Sequence, residues 1–483
     1  MTKAKQEQPG LRRGIKSWQV AFIGTGGVVG SCYFLGLGPL IHDMGPAVIL
    51  AYLAVALVVY GMMLSYAELL VNLPRKGSFV SYTKEFLGRT VAVGIGWAFW
   101  FNWICYVPSE AIGVAVVINS FFPGNQMAYA VGVLFLLTVI NLCTVDIFAK
   151  VESALAILKI CIISLFCVIG LGVWIGLWGN AGFLGLRVNF GGGDLFASLF
   201  PNGPLIVLTS MVVVLVNFQG IEILGLAASE TQDAQTAVPK ACKTATCMIM
   251  GMYLIPILII LGIFPTGLAN LDSDIFSQVL AHYHLDFWAA LLSSAVMFAS
   301  FSCANTGLYG TVRCMYGLAC EGLAPKVFSR LDRNGSPRSA VLFSLGAMWL
   351  VLMLGFSGGG AGLYQNLLSV AGFTGATAWM GIILCQLRFR RKLIKNGYEP
   401  ERCLQAAVPR GKRWICLYAL IGQGAALVML AFGEGQQIVF LIACLAILVP
   451  ALVSVLVGKL SGTAAPAEAD SEASFEVKFP PKK

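Results

Sequence analysis

Twelve stretches of this chain run for about 20 residues or more with almost no charge, the length an α-helix needs to cross the hydrocarbon core of a bilayer. They lie at about 18–41, 46–71, 91–121, 126–145, 152–178, 204–228, 243–264, 286–318, 339–357, 362–387, 414–433 and 436–458, here numbered spans 1 to 12. Transmembrane strands would alternate in pieces of about ten residues; these runs are longer and uniformly apolar, so the expected fold is an all-α membrane protein with 12 transmembrane helices. Over 483 residues, 58% are hydrophobic and 11% charged, where a soluble globular chain carries about 25% charged residues. A large soluble enzyme, a disordered chain and a collagen-like chain are thereby set aside. Three His and no HExxH speak against a His-based metal enzyme, and 14 scattered Cys with no CxxC speak against a zinc or disulfide scaffold. No metal and no cofactor is expected.

The basic residues set the topology. Of the 32 Lys and Arg, all but Arg187 and Lys159 fall in, or at the inner ends of, the alternate segments that are cytoplasmic when the N-terminus is inside. The net charge of +9 is therefore topology and not a nucleic-acid footprint. The cluster Arg388, Arg390, Arg391 and Lys392 either stops transfer or touches anionic lipid. Asn334-Gly335-Ser336 reads as a glycosylation sequon but falls on the cytoplasmic side. No cleavable leader is visible, because the basic segment 1–17 runs straight into a full-length span. The organisation read from this is a cytoplasmic segment 1–17, a 12-helix unit 18–458, and a disordered cytoplasmic tail 459–483 rich in Ala, Glu and Pro.

Two spans are interrupted. Span 1 places Gly24, Gly26, Gly27 and Gly30 within seven residues. Each glycine costs a helix about 1 kcal/mol relative to alanine, and irregular backbone at membrane depth survives only where it is buried in protein or lines a cavity. Close helix packing is the plain alternative. Span 6 carries Asn217-Phe218-Gln219-Gly220-Ile221-Glu222 in an otherwise apolar run. Two interrupted spans, five helices apart, point to a transporter built from inverted repeats. An unwound stretch presents N–H groups at the start of the following half-helix, which suit a carboxylate. The carbonyls freed at the end of the preceding half-helix suit an ammonium. A zwitterion is the natural guest.

Four ionisable residues are read as intramembrane: Glu68, Glu110, Lys159 and Glu222. Such groups are costly and mark pathways or partners. Glu222 adjoins the second break and either serves the site or holds the break open. Lys159 either snorkels to the cytoplasm or exchanges protons. Glu110 either faces a cationic substrate or carries a proton, or it braces the bundle. Glu68, at the inner end of span 2, reads as a packing residue.

With these features in hand, the chain resembles the bacterial amino-acid permeases of the amino acid–polyamine–organocation superfamily, over nearly its whole length to about residue 458. The resemblance rests on Leu11-Arg12-Arg13-Gly14 with Gly26-Gly27-Val28-Val29-Gly30, on Phe218-Gln219-Gly220-Ile221-Glu222 with Ala228-Ser229-Glu230 and Val238-Pro239-Lys240-Ala241, on Ala304-Asn305-Thr306-Gly307-Leu308-Tyr309 with Gly322-Leu323-Ala324-Pro325-Lys326, and on Ala371-Gly372-Phe373-Thr374-Gly375. It departs from many members at Ser31-Cys32-Tyr33. It implies a five-plus-five inverted-repeat core, about 18–178 and 204–387, with discontinuous helices 1 and 6 and two extra helices, 11 and 12. It implies a substrate carboxylate at Gly26, Gly27 and Gly30, and a substrate amine near Ile23, Gly24 and Phe218, with Phe218 also an aromatic gate. Gly220, Glu222 and Glu110 complete the expected binding set. Lys159 matches the lysine that stands, in proton-coupled members, where sodium-coupled relatives hold the ion, with Ser300 or Ser302 beside it.

The expected function is import of an amino acid across the cytoplasmic membrane by a secondary active transporter working by alternating access, with protons as coupling ion. An exchanger or a substrate sensor would carry the same site. No filter repeat suggests a channel, no GxxxxGK[ST] loop suggests a pump, and no acid–base cluster suggests an enzyme. The substrate side chain leans to neutral or aromatic, with cationic as the rival.

Overall fold

The computed structural model describes residues 24–25, 27–75, 77–141, 145–178, 184–191, 193–227, 234–270, 273–332, 335–357, 362–433, 435–461 and 475–481. Among them every regular element is a helix. Among the described residues nine helices are long and apolar enough to cross a membrane, or ten if a bent pair around residue 210 counts as one span. Gln126–Asn141, a shorter apolar helix of 16 residues, lies where span 4 is expected.

The bundle has a centre and a rim, and the sequence explains which helix goes where. Leu363–Lys395 (span 10) and Arg89–Phe121 (span 3) are 83% and 72% buried over their most apolar windows, while Gln437–Val457 (span 12) is 11% buried. Span 12 is the most hydrophobic of the nine and leaves Leu441, Leu448, Leu452 and Leu456 exposed. In a membrane that outward apolar face meets lipid tails. Span 3, by contrast, carries small and polar residues such as Gly94, Gly96, Asn102 and Ser109, all buried, and runs along both span 8 (Asp286–Cys320) and span 10. Small residues let helices approach closely.

Two features differ from the sequence expectation. Span 6 bends twice. Its first part, Leu195–Thr209, meets Met211–Asn217 at 76°, where the Thr209 hydroxyl turns back to the Leu205 and Ile206 carbonyls. The second interruption is the expected one at 218–222. The second difference lies in the tail. Residues 475–481, placed in the disordered segment 459–483, dock instead. Phe475 and Phe479 share one helical face and bury against Phe86, Phe389 and Tyr398. Lys478 Nζ donates to the Asn72 carbonyl at the end of span 2 at 2.5 Å, and Asn396 Nδ2 to the Phe479 carbonyl at 2.9 Å. The Ala- and Glu-rich composition around them hides two aromatics spaced for one face.

At the same end of the bundle Glu68 is fully buried and paired with Arg390, whose Nε and Nη2 reach it at 2.7 and 2.5 Å. Gln386 Nε2 and the Val408 N–H complete the cage at 2.9 and 2.6 Å. Glu68 is thus a packing residue that ties span 2 to span 10 and to the 10–11 loop. Arg390, read from the sequence as stop-transfer or lipid contact, is an internal partner. The segment between spans 5 and 6 is also tied down, by Asn189 donating to the Leu261 and Phe264 carbonyls at 3.1 and 3.0 Å.

Candidate substrate site at two facing helix breaks

The two interruptions meet in the middle of the bundle. Gly220 has φ +110°, a conformation that side chains rarely adopt, and a Cβ there would fall 2.5 Å from the Gly27 carbonyl carbon. A Cβ on Gly27 would lie 2.8 Å from the Thr306 methyl, one on Gly30 would lie 2.8 Å from Cys303 Cβ and Sγ, and one on Gly24 would lie 3.1 Å from Leu224. The glycines of span 1 therefore let three neighbours close on the backbone: the second half of span 6, span 8 and span 3. Ile23 and Gly26 lie outside the described residues.

Beyond the first break the chain turns helical at Ser31–Phe34. The Ser31 N–H donates to Glu110 Oε2 at 2.7 Å. Glu110 comes from span 3 and is fully buried, and its Oε1 has no hydrogen-bond partner among the described residues. Ser31 Oγ in turn accepts from the Tyr364 hydroxyl of span 10 at 2.9 Å. At the second break the half-helix Met211–Asn217 ends with the Phe218 and Gln219 N–H groups on the Leu215 and Val216 carbonyls, which leaves the Asn217 carbonyl to a side chain. The Tyr253 hydroxyl, from span 7, donates to the Asn217 carbonyl at 2.6 Å and lies 3.2 Å from the Val28 carbonyl. One carboxylate and one hydroxyl of the protein thus sit on a backbone N–H of the first break and on a carbonyl of each break.

Glu222 is buried and its Oε2 accepts from the Gly220 N–H and from Trp379 Nε1, both at 3.0 Å. That carboxylate fixes the unwound turn from within and anchors it to span 10. Gln219 Nε2 makes a second anchor, to the Gly372 carbonyl at 2.9 Å. Phe218 is fully buried between Tyr253 and Tyr52, at 4.8 and 5.8 Å between ring centroids. Tyr253 stacks on Tyr33 at 4.1 Å, and Phe276 closes over Tyr33. This aromatic layer seals one side of the breaks. On the other, Tyr66 presses on Gly225 and is hydrogen-bonded to Ser78.

Lys159 is fully buried on span 5. With no exposed surface it does not snorkel out. Ser302 Oγ donates to Glu152 Oε1 at 2.5 Å, while Ser300 is buried with no partner for its hydroxyl among the described residues. Of the residues expected beside Lys159, Ser302 is hydrogen-bonded to Glu152, which lies seven residues before Lys159 on span 5. Glu152 is the acid that a sequence reading passes over: it stands at the expected boundary of span 5, where a carboxylate is ordinary. Its spacing of seven from Lys159 was the available signal, since seven residues return a helix to nearly the same face. Tyr253 had no such signal, because nothing local distinguishes it from a packing tyrosine.

With the geometry established, comparison with known proteins gives a consistent answer. The Amino acid permease family matches residues 19–459. The chain is 31% identical over 406 residues to the lysine-specific permease LysP of Escherichia coli (strain K12), covering 81% of each. It is 31% identical over 446 residues to the amino-acid permease RocC of Bacillus subtilis (strain 168), covering 89% of this chain and 91% of that one. To the gamma-aminobutyric acid permease of the same organism it is 29% identical over 395 residues, covering 82% and 83%. Among solved structures, a manganese transporter from Eremococcus coleocola superposes with a TM-score of 0.57 at 13% identity, covering 92% of this chain and 95% of that one, a likeness of fold. These proteins are transporters and not enzymes, and the chain belongs to the amino acid permease family of the amino acid–polyamine–organocation superfamily.

Proposed function

We propose that this protein is a secondary active transporter that imports an amino acid across the bacterial cytoplasmic membrane by alternating access, in symport with protons. The observation that carries this reading is the pair of internal stand-ins at the breaks: Glu110 on the Ser31 N–H and Tyr253 on the Asn217 carbonyl. A carboxylate and an ammonium on one carbon can take over both positions together, the carboxylate at Gly27 and Gly30 and the ammonium at the carbonyls near Gly24 and Phe218. Release of the stand-ins frees the outer half of span 1 and the turn of span 6 to move against the core. The order of repeats is about 18–178 and 204–387, with spans 11 and 12 outside them and both termini cytoplasmic, as the basic loops require.

A cationic side chain is favoured over the neutral or aromatic one that the sequence suggests. Glu110 Oε1 is a buried acceptor without a hydrogen-bond partner among the described residues, and burial of such an atom is costly unless something satisfies it. The relative named a lysine-specific permease agrees with this. In the coupling role, Lys159 holds the proton that travels with the substrate. The test is accumulation in proteoliposomes under an inward pH gradient. Wild type should concentrate its amino acid, and Lys159→Ala should lose accumulation far more than it loses exchange. Uphill uptake at the wild-type level in that variant would remove the proton-coupling reading.

A further inference from the structure

Glu152 is a fully buried carboxylate in the same face of span 5 as Lys159, and neither substrate binding nor helix capping gives it a use. Along the helix it lies two turns, about 10 Å, from Lys159, and with the N-terminus inside it is on the cytoplasmic side of it. Span 8 reaches it with two donors: Ser302 Oγ at 2.5 Å to Oε1 and Asn305 Nδ2 at 3.5 Å to Oε2. Asn305 is itself held by Asn141 of span 4, Nδ2 to Oδ1, at 2.8 Å. The carboxylate is thus fixed by spans 4, 5 and 8 on the helix face that carries Lys159 two turns further on. An isolated buried acid would not be retained this way without a charge to face.

We propose that Glu152 is the proton-transfer partner of Lys159, the residue through which the coupling proton leaves for the cytoplasm; this rests on the coupling role given to Lys159 above. In the step, a proton leaves Lys159 Nζ and bonds to a Glu152 carboxylate oxygen. The ammonium–carboxylate pair becomes an amine–acid pair, with no change in net charge. The acid then gives the same proton to water on the cytoplasmic side and returns to carboxylate. Ser302 and Asn305, as donors, stabilise the carboxylate that must re-form. The other titratable groups facing the pair are Glu110 from span 3, Cys303 from span 8 and Cys32 from span 1. Of these, Glu110 is engaged with the Ser31 N–H, Cys303 Sγ with the Gly27 carbonyl at 3.1 Å, and Cys32 Sγ with the Tyr106 hydroxyl at 2.7 Å. Among the described residues the hydrogen bonds of Glu152 come from Ser302 and Asn305 of span 8 and none from the break backbone.

The experiment uses the full chain in proteoliposomes holding the pH dye pyranine. A labelled mixture of the common amino acids reports counterflow, and the dye reports proton entry driven by the same mixture. Glu152→Gln keeps the size and one acceptor, for Ser302 Oγ, and removes the titrating oxygen. Proton entry should fall at least about tenfold more than counterflow, the low side of what losing a proton-transfer group costs, and the dependence of counterflow on internal pH should flatten. Glu152→Asp should restore both. Ser302→Ala removes a donor to the carboxylate and should move the pH midpoint upward with folding intact, a second reading where the first variant folds poorly. Wild-type proton entry per labelled amino acid, with an unchanged pH profile in both Glu152→Gln and Ser302→Ala, overturns the proposal. If Lys159→Ala alone abolishes proton entry while Glu152→Gln does not, only the role of Glu152 falls; if neither does, the coupling reading falls with it.

Discussion

Replacing Gly220 with alanine isolates the contact between the two helix breaks. The residue sits at φ +110°, and forcing a side chain into such a region costs about 1–3 kcal/mol. The larger effect is steric. The added Cβ would lie 2.5 Å from the Gly27 carbonyl carbon and 3.1 Å from the Val28 nitrogen, where carbon atoms rest at about 3.5–4.0 Å. Span 6 must then move from span 1 by about 1 Å, the misplacement that at a positioned site can cost on the order of a hundredfold. Both partners are backbone, so no rotamer can relieve the overlap. Counterflow in proteoliposomes is the assay, with thermal unfolding of the purified protein beside it. Gly251→Ala is the control, because nothing lies within 4 Å of the added methyl on that helix. Gly220→Ala should lose transport by about a hundredfold while still inserting, and Gly251→Ala should transport normally. Near-normal transport by Gly220→Ala would refute the claim that the breaks form one site through direct backbone contact.

Three further outcomes follow from the same geometry. Glu222→Gln keeps an acceptor for the Gly220 N–H and Trp379, so substrate affinity in a binding assay should change by less than about tenfold, the weight of one hydrogen bond; total loss of binding in folded protein would place Glu222 on the substrate. Arg390→Ala leaves Glu68 buried without its cation, and loss of about 3–5 kcal/mol should appear as a clear fall in Tm; an unchanged Tm would show that Gln386 and Val408 suffice. Burial holds the Asp274 carboxyl, which caps a helix outside the spans by accepting from the Ser277 N–H at 2.9 Å, above the usual carboxylate range. A raised acid favours the folded state below the ordinary carboxylate range and loses that contribution as pH rises through the raised value. Asp274→Asn keeps the cap, so its Tm should exceed wild type at about pH 8 and the gain should vanish near pH 4; a lower Tm at the higher pH would refute it.

The bundle and its breaks were legible because membranes force the issue locally. Apolar length reports a span, and glycine or amide residues at membrane depth report irregular backbone, with no knowledge of neighbours. Gly24, Gly27, Gly30 and Gly220 mark irregular backbone in this way, and Glu110, Lys159 and Glu222 stand out as charges at membrane depth. What stayed hidden depends on contacts between distant residues. Arg390 looks like a stop-transfer charge until Glu68, 322 positions away, is placed beside it. Tyr253 looks like core until its hydroxyl meets two broken helices. Phe475 and Phe479 vanish in a tail whose average composition reads as disorder. Glu152 is the exception, since its seven-residue spacing from Lys159 is local and a helical projection of span 5 exposes it.

The central claim is that a single amino acid replaces Glu110 and Tyr253 at the facing breaks and is carried across. Counterflow in proteoliposomes, with the common amino acids and several polyamines tested in turn, addresses it without assuming any driving ion. The account predicts a signal confined to a few chemically related amino acids, with lysine or another cationic amino acid among them, and none for polyamines, which lack the carboxylate. Silence across the panel with folded, inserted protein, or transport of polyamines in place of amino acids, would contradict it.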